Sequence, residues 1–135
     1  MSSGTGRPDD PWILATPSGG SAYAMWRDDD VEPPLLVARL DRVQRTYLAR
    51  AVDDLYAYLV ERGDWVPLGA CDEQRPPVDG TVEAWARSES NPVGGWYGQD
   101  VGSRGRFALY VPPLLVHQGR AEISIENRRS RIRAC

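Results

Sequence analysis

Apolar and polar residues alternate along short stretches of this chain and recur at helical spacing along one longer stretch. Trp12–Thr16 is a short apolar run closed by Pro17-Ser18-Gly19-Gly20, a turn signal. Ser21–Trp26 alternates with Tyr23 and Met25 on one face, so the pair predicts a β-hairpin. Asp28-Asp29-Asp30 reads as a solvated turn, because it lacks the spaced ligands and glycine of a calcium loop. After Pro33-Pro34, Leu35–Leu40 predicts a third strand. Leu48, Val52, Leu55 and Leu59 then fall at spacings of four, three and four, one face of a helix over about 47–62. Gly63 is its expected stop. Val43, Arg45 and Tyr47 alternate, which leaves room for a fourth strand over 42–47.

The second half is punctuated by glycine and proline. Asp64–Gly69 reads as extended, with Trp65 and Val66 packing under the helix, and Ala70–Gly80 as a polar loop. Thr81–Arg87 alternates, which predicts a strand carrying Thr81, Glu83, Trp85 and Arg87 on one face; a helix beginning at Thr81 is the competing reading. Ser88–Gly105 is a long Gly-rich loop, and loops beyond about 12–15 residues are uncommon unless functional or disordered. Arg106–Val111 predicts a strand, Pro113–Gln118 a short helix stopped by Gly119, and Ala121–Glu126 with Arg131–Ala134 a final hairpin. The order predicts an α+β domain over 11–135 with a mainly antiparallel sheet, one main helix at about 47–62 and a short C-terminal helix at about 113–118. Residues 1–10 read as a flexible leader.

Composition narrows the chemistry. All 16 basic residues are arginine, so no lysine can form a Schiff base with pyridoxal phosphate or serve a P-loop. One histidine and two separated cysteines do not make a zinc site of the usual kind, and no metal or cofactor is expected. Cys71 and Cys135 read as free thiols, and Cys71 lacks a local base that would make it a nucleophile. No apolar run reaches the ~20 residues of a membrane span, and no secretory h-region opens the chain, so the expected compartment is the cytoplasm. Charge is uneven: residues 1–100 hold 9 Arg against 17 acidic groups, and residues 101–135 hold 7 against 2. An acidic body with a basic end points to a partner or to internal pairing.

GDWVPLG at 63–69, DE at 72–73, GTVEAWARSESNPVGGWYG at 80–98, RGRFALYVPP at 104–113 and RIRA at 131–134 together resemble a family of short actinobacterial proteins of unknown function. The resemblance covers about residues 10–135. It implies one small cytoplasmic domain and no particular activity.

The candidate chemistry gathers around the long loop. Trp85, Trp96 and Tyr97 offer flat surface for stacking on a ligand, and Arg87, Arg104 and Arg106 offer forks for an anion, with Asn91 and Tyr110 beside them. Glu83, Asp72, Glu73 and His117 are the candidate proton carriers. These groups suit a small-molecule-binding protein or a cofactor-independent enzyme of isomerase, cyclase or lyase type. The bland reading makes the aromatics core anchors and the Glu83–Arg87 pair a surface contact worth ~0–1 kcal/mol. A different class is nucleic-acid binding through a winged-helix-like C-terminal hairpin, with Arg129, Arg131 and Arg133 along one strand face. A third is a homodimeric or partner-binding module whose contact is an edge strand at 121–126 or the arginine-rich end.

Overall fold

The computed structural model describes residues 4–99 and 102–135. Its first half is an antiparallel meander of β1 (Trp12–Ala15), β2 (Ala22–Asp28), β3 (Leu35–Leu40) and β4 (Val43–Leu48), in that spatial order. The register places Leu14 opposite Tyr23, Met25 opposite Ala38 and Leu36 opposite Tyr47. All six are buried, which gives the sheet one apolar face. Burying a side chain of this size stabilises by roughly 1.5–3 kcal/mol, so the alternation in sequence sets the register. Residues 4–10, read as leader, bond back onto the hairpin: Gly6 N–H donates to Asp10 and Gly6 O accepts from Arg27 N–H.

The main helix, α1 (Ala51–Arg62), buries Ala51, Val52, Leu55 and Leu59, the expected face. It starts later than 47 because the fourth strand forms and carries Tyr47 and Leu48. Gly63, at φ 68°, returns its N–H to Leu59 O and ends it. The second sheet is three-stranded, with order β5 (Val66–Pro67), β7 (Arg129–Ala134) and β6 (Ala121–Glu126). Ile132 of β7 and Val66 of β5 pair and are fully buried. β6 is an edge strand, as expected for 121–126. α4 (Pro112–His117), one residue earlier than expected, lies against α1, β1 and β6 with Leu114 and Leu115 buried. The fold is α+β with antiparallel sheets, a main helix and a short C-terminal helix. No helix among the described residues is long and apolar enough to cross a membrane.

Two expected strands are helices. Thr81–Arg87 folds as α2 (Val82–Trp85), capped by Thr81, whose Oγ1 accepts from Ala84 N–H at 3.1 Å. Alternation failed here because a single helical turn is too short to show its period. Val82 and Ala86, four apart, are buried together while Ala84 is half-buried. Arg106–Val111 folds as α3 (Phe107–Tyr110). Its first amides are held by a side chain from α2, a tertiary contact that residues 106–111 do not announce.

Candidate functional site

The described part of the long loop, 88–99 and 102–105, is laid along the open edge of β4. Leu48 N–H donates to Tyr97 O at 2.9 Å and Gln99 N–H to Thr46 O at 3.0 Å. Tyr97 plugs the core, 1% exposed, with its hydroxyl on Asp54 at 2.9 Å. Burial, then the Asp54 carboxylate, pushes that phenol well above its usual range. Gly98 sits where a Cβ would meet Ser103 O at 2.3 Å, so the two arms of the loop touch backbone to backbone. Gly98→Ala should cost about 1–3 kcal/mol as overpacking, measured by urea unfolding; unchanged stability would mean that the arms separate freely.

Beneath the loop lies a buried clasp. Glu83 accepts from Phe107 N–H at 3.3 Å, Ala108 N–H at 3.0 Å and Arg87 Nε at 3.1 Å. It therefore caps α3 from α2. Burial raises the Glu83 carboxyl above its ordinary range, while the Ala108 amide and the Arg87 charge oppose that rise. Arg87 sends Nη1 to Arg75 O and Nη2 to Cys71 O and Asp72 O, each at 2.8 Å. Its guanidinium also lies under Trp96, 4.9 Å from the ring centre. Three of its five N–H groups are thus engaged in shaping the 71–75 loop and a fourth holds Glu83. Asp72 closes the same loop by accepting from Gln74 N–H and Arg75 N–H. Asn91 is likewise engaged, donating to Trp85 O and Gly95 O and accepting from Val93 N–H and Gly95 N–H.

The clasp leaves a cleft of about 760 Å3 above it. Trp85, Arg87, Trp96 and Glu73 line it, joined by Tyr58, Arg75, Asp79, Ser88 and Ser90. Tyr58 of α1 stacks on Trp85 at 4.9 Å and 19°. Trp96 is 36% exposed, the one bulky aromatic of the loop left in solvent. Arg75 and Asp79 side chains make no ion pair among the described residues. Sequence reasoning missed Tyr58, Arg75 and Asp79. Arg75 and Asp79 fell inside the polar loop read over 70–80, and nothing local to Tyr58 sets it apart from the rest of the main helix.

Several candidates stand elsewhere. Arg104 and Arg106 are exposed and outside the cleft, and Arg106 opens α3 at φ 60°. Tyr110 is buried against Tyr23, whose hydroxyl donates to Tyr110 O at 2.6 Å. His117 ends α4 on another groove, 6.5 Å from Trp12. Glu73 reaches Gly102 N–H, which ties the cleft to the loop. Of the four expected proton carriers, Glu73 alone lines the cleft. Cys71 is a half-buried free thiol whose pKa is raised by burial, which does not favour a nucleophile. The predicted sheet-face floor of Glu83, Trp85 and Arg87 is corrected to a helical turn, with Glu83 wholly beneath the surface. No three His, Cys, Asp or Glu side chains gather as a metal site among the described residues.

The basic C-terminal face is also engaged. Arg131 and Arg133 stack on Trp65 at 4.6 and 4.5 Å and pair with Glu126 and Glu122. Comparison with curated proteins and with solved structures returned no match. A family model spans residues 4–135, nearly the whole chain described above, and on that ground the protein belongs to the family of unknown function DUF6855.

Proposed function

We propose that this is a small-molecule-binding protein whose site is the cleft between residues 73–81 and the pair Trp85 and Trp96. The observation that carries this reading is the division of labour at the site. Glu83, Arg87, Asp72 and Asn91 are consumed in holding its shape, while Trp96 faces the opening and Arg75 and Asp79 do so with no ion-pair partner among the described residues. A concave, aromatic-walled space with a few convergent polar groups is the usual form of a ligand site. Of the stretches that carry the resemblance, NP-x-GGWYG supplies Trp96 to the cleft, and RGRFA supplies the Phe107 and Ala108 amides that Glu83 holds beneath it. A ring would stack on Trp96, and an anionic substituent would meet Arg75. An enzyme of isomerase, cyclase or lyase type would have Glu73 as its proton carrier here; binding alone asks less of the site. The nucleic-acid alternative is disfavoured because Arg131 and Arg133, two of the three arginines it would lay along a phosphate backbone, already face Trp65 and two glutamates.

Titration with benzoate and 2-naphthoate, read by tryptophan emission, tests the site. Saturable quenching is expected, tighter for the larger ring. Trp96→Ala should lose about 2 kcal/mol of it, roughly thirtyfold in Kd, with Trp85 remaining as reporter. Saturable quenching that survives Trp96→Ala and Arg75→Ala unchanged would place the ligand elsewhere; no saturable quenching with either probe would remove the proposal.

A further inference from the structure

On the other side of the Val78–Thr81 turn lies a second cavity, of about 490 Å3. Pro17, Pro67, Leu68, Val78, Ala108 and Leu109 supply its apolar lining. Val78 is 73% exposed, an apolar side chain standing in water at this cavity. The hairpin tip between β6 and β7 brings Arg128, Arg129 and Ser130 to the same space. Glu126 pairs with Arg129 in the ladder, so Asn127 and Arg128 form a two-residue turn, both at positive φ (52° and 65°). Glycine is the residue such a turn favours at its second position, and a larger residue there costs on the order of 1 kcal/mol. An arginine holds that place. Arg128 and Arg129 make no ion pair among the described residues, whereas Arg131 and Arg133 on the same strand are both paired. The carboxylate of Asp79, on the wall shared with the aromatic cleft, is the one acidic group among the described residues that line this cavity.

We infer that this cavity binds a soluble amphipathic anion, with an aliphatic tail against Leu68, Val78, Ala108 and Leu109 and an acidic head at Arg128 and Arg129. The two halves of the cavity ask for the two halves of such a molecule. Apolar wall recovers roughly 25 cal/mol per Å2 of tail removed from water. Two unpaired guanidinium groups supply charge-assisted hydrogen bonds to a carboxylate or phosphate. Neither half explains the other: a purely apolar ligand leaves the arginines idle, and a bare anion leaves Val78 wet. The inference is independent of the aromatic cleft, because Trp85 and Trp96 do not line this cavity.

Calorimetric titration of the full chain with decanoate, decyl phosphate, 1-decanol and inorganic phosphate tests it, with backbone amide shifts to map the site. Decanoate and decyl phosphate are expected to bind one to one, with shifts at residues 67–70, 108–109 and 128–130; their ranking tells carboxylate from phosphate as the preferred head. Decanol should bind at least tenfold more weakly, and inorganic phosphate not measurably. Arg128→Gly combined with Arg129→Gln should weaken decanoate at least tenfold. The glycine suits the turn, so the hairpin is expected to stay folded. Val78→Glu, at an exposed position, should do the same through the tail and through charge. Trp96→Ala should leave decanoate binding unchanged, which separates this outcome from that of the cleft. Equal binding of decanol and decanoate, an unchanged Kd in the double arginine variant, or shifts confined to residues 73–96 would each overturn the inference.

Discussion

Glu83→Ala should destabilise the protein by about 3–5 kcal/mol, the usual cost of breaking a buried ion pair by deleting one partner. The Glu83 side chain is 0% exposed and that of Arg87 7%, so the arginine charge would be left under the surface without its carboxylate. Phe107 and Ala108 would also lose the acceptor of their N–H groups at the start of α3. Against a total stability of ~5–15 kcal/mol for an ordinary domain, this is a large fraction. Urea unfolding of both proteins measures it, and a loss under 1 kcal/mol would show that the clasp is dispensable. The pH dependence has a definite sign. Burial raises the Glu83 carboxyl above its ordinary 4.5, so between 4.5 and the raised value the folded chain holds more protons than the unfolded one. Stability from this group is fully present below 4.5 and declines as pH rises through the folded value. The deficit of Glu83→Ala should therefore widen as pH is lowered from neutrality toward 4.5. A deficit that narrows on acidification would mean that Glu83 is better stabilised as the anion.

The second large effect is expected at Phe107. Its ring is 1% exposed and meets Tyr47 edge-on at 5.7 Å, Trp85 at 6.0 Å and Tyr97 at 5.4 Å. These three rings come from β4, α2 and the long loop, so one side chain joins the sheet to both walls of the cleft. Phe107→Ala should cost about 3–5 kcal/mol, the transfer and cavity terms together. Phe107→Leu keeps most of the apolar volume and should cost clearly less. Near-ultraviolet circular dichroism should weaken in Phe107→Ala even under native conditions, as the surrounding rings lose their fixed packing. Equal stability of the alanine and leucine variants would show that the cavity closes over the missing ring.

The legible parts of the fold were those whose signal is local. Leu55 and Leu59 with Gly63 announced α1, and Tyr23 with Met25 announced the inward face of β2. The final hairpin followed from Ala121–Glu126 and the returning arginines. Val82–Trp85 and Phe107–Tyr110 were illegible, since four residues of helix carry no periodicity and β-favouring side chains tipped the reading. At the site, Trp85, Arg87, Trp96 and Glu73 were legible as a group because aromatic and charged residues cluster in that stretch of sequence. Their roles were not, for a charge pair four residues apart reads the same whether it lies on a surface or beneath one.

What the sequence by itself determined is the set of elements long enough to repeat: the meander, the main helix and the closing hairpin, each fixed by apolar periodicity and turn residues. It also restricted the chemistry, by lacking lysine and holding a single histidine. Tertiary structure alone decided that Glu83 and Arg87 are clasp rather than ligand site. It also decided that His117, Arg104, Arg106 and Tyr110 stand apart from the cleft, and that Tyr58, Arg75 and Asp79 belong to it. The physical reason is that burial and hydrogen-bond partnership are properties of what packs around a residue. Those neighbours come from residues 24 and 25 positions away for Glu83, and no local pattern encodes them.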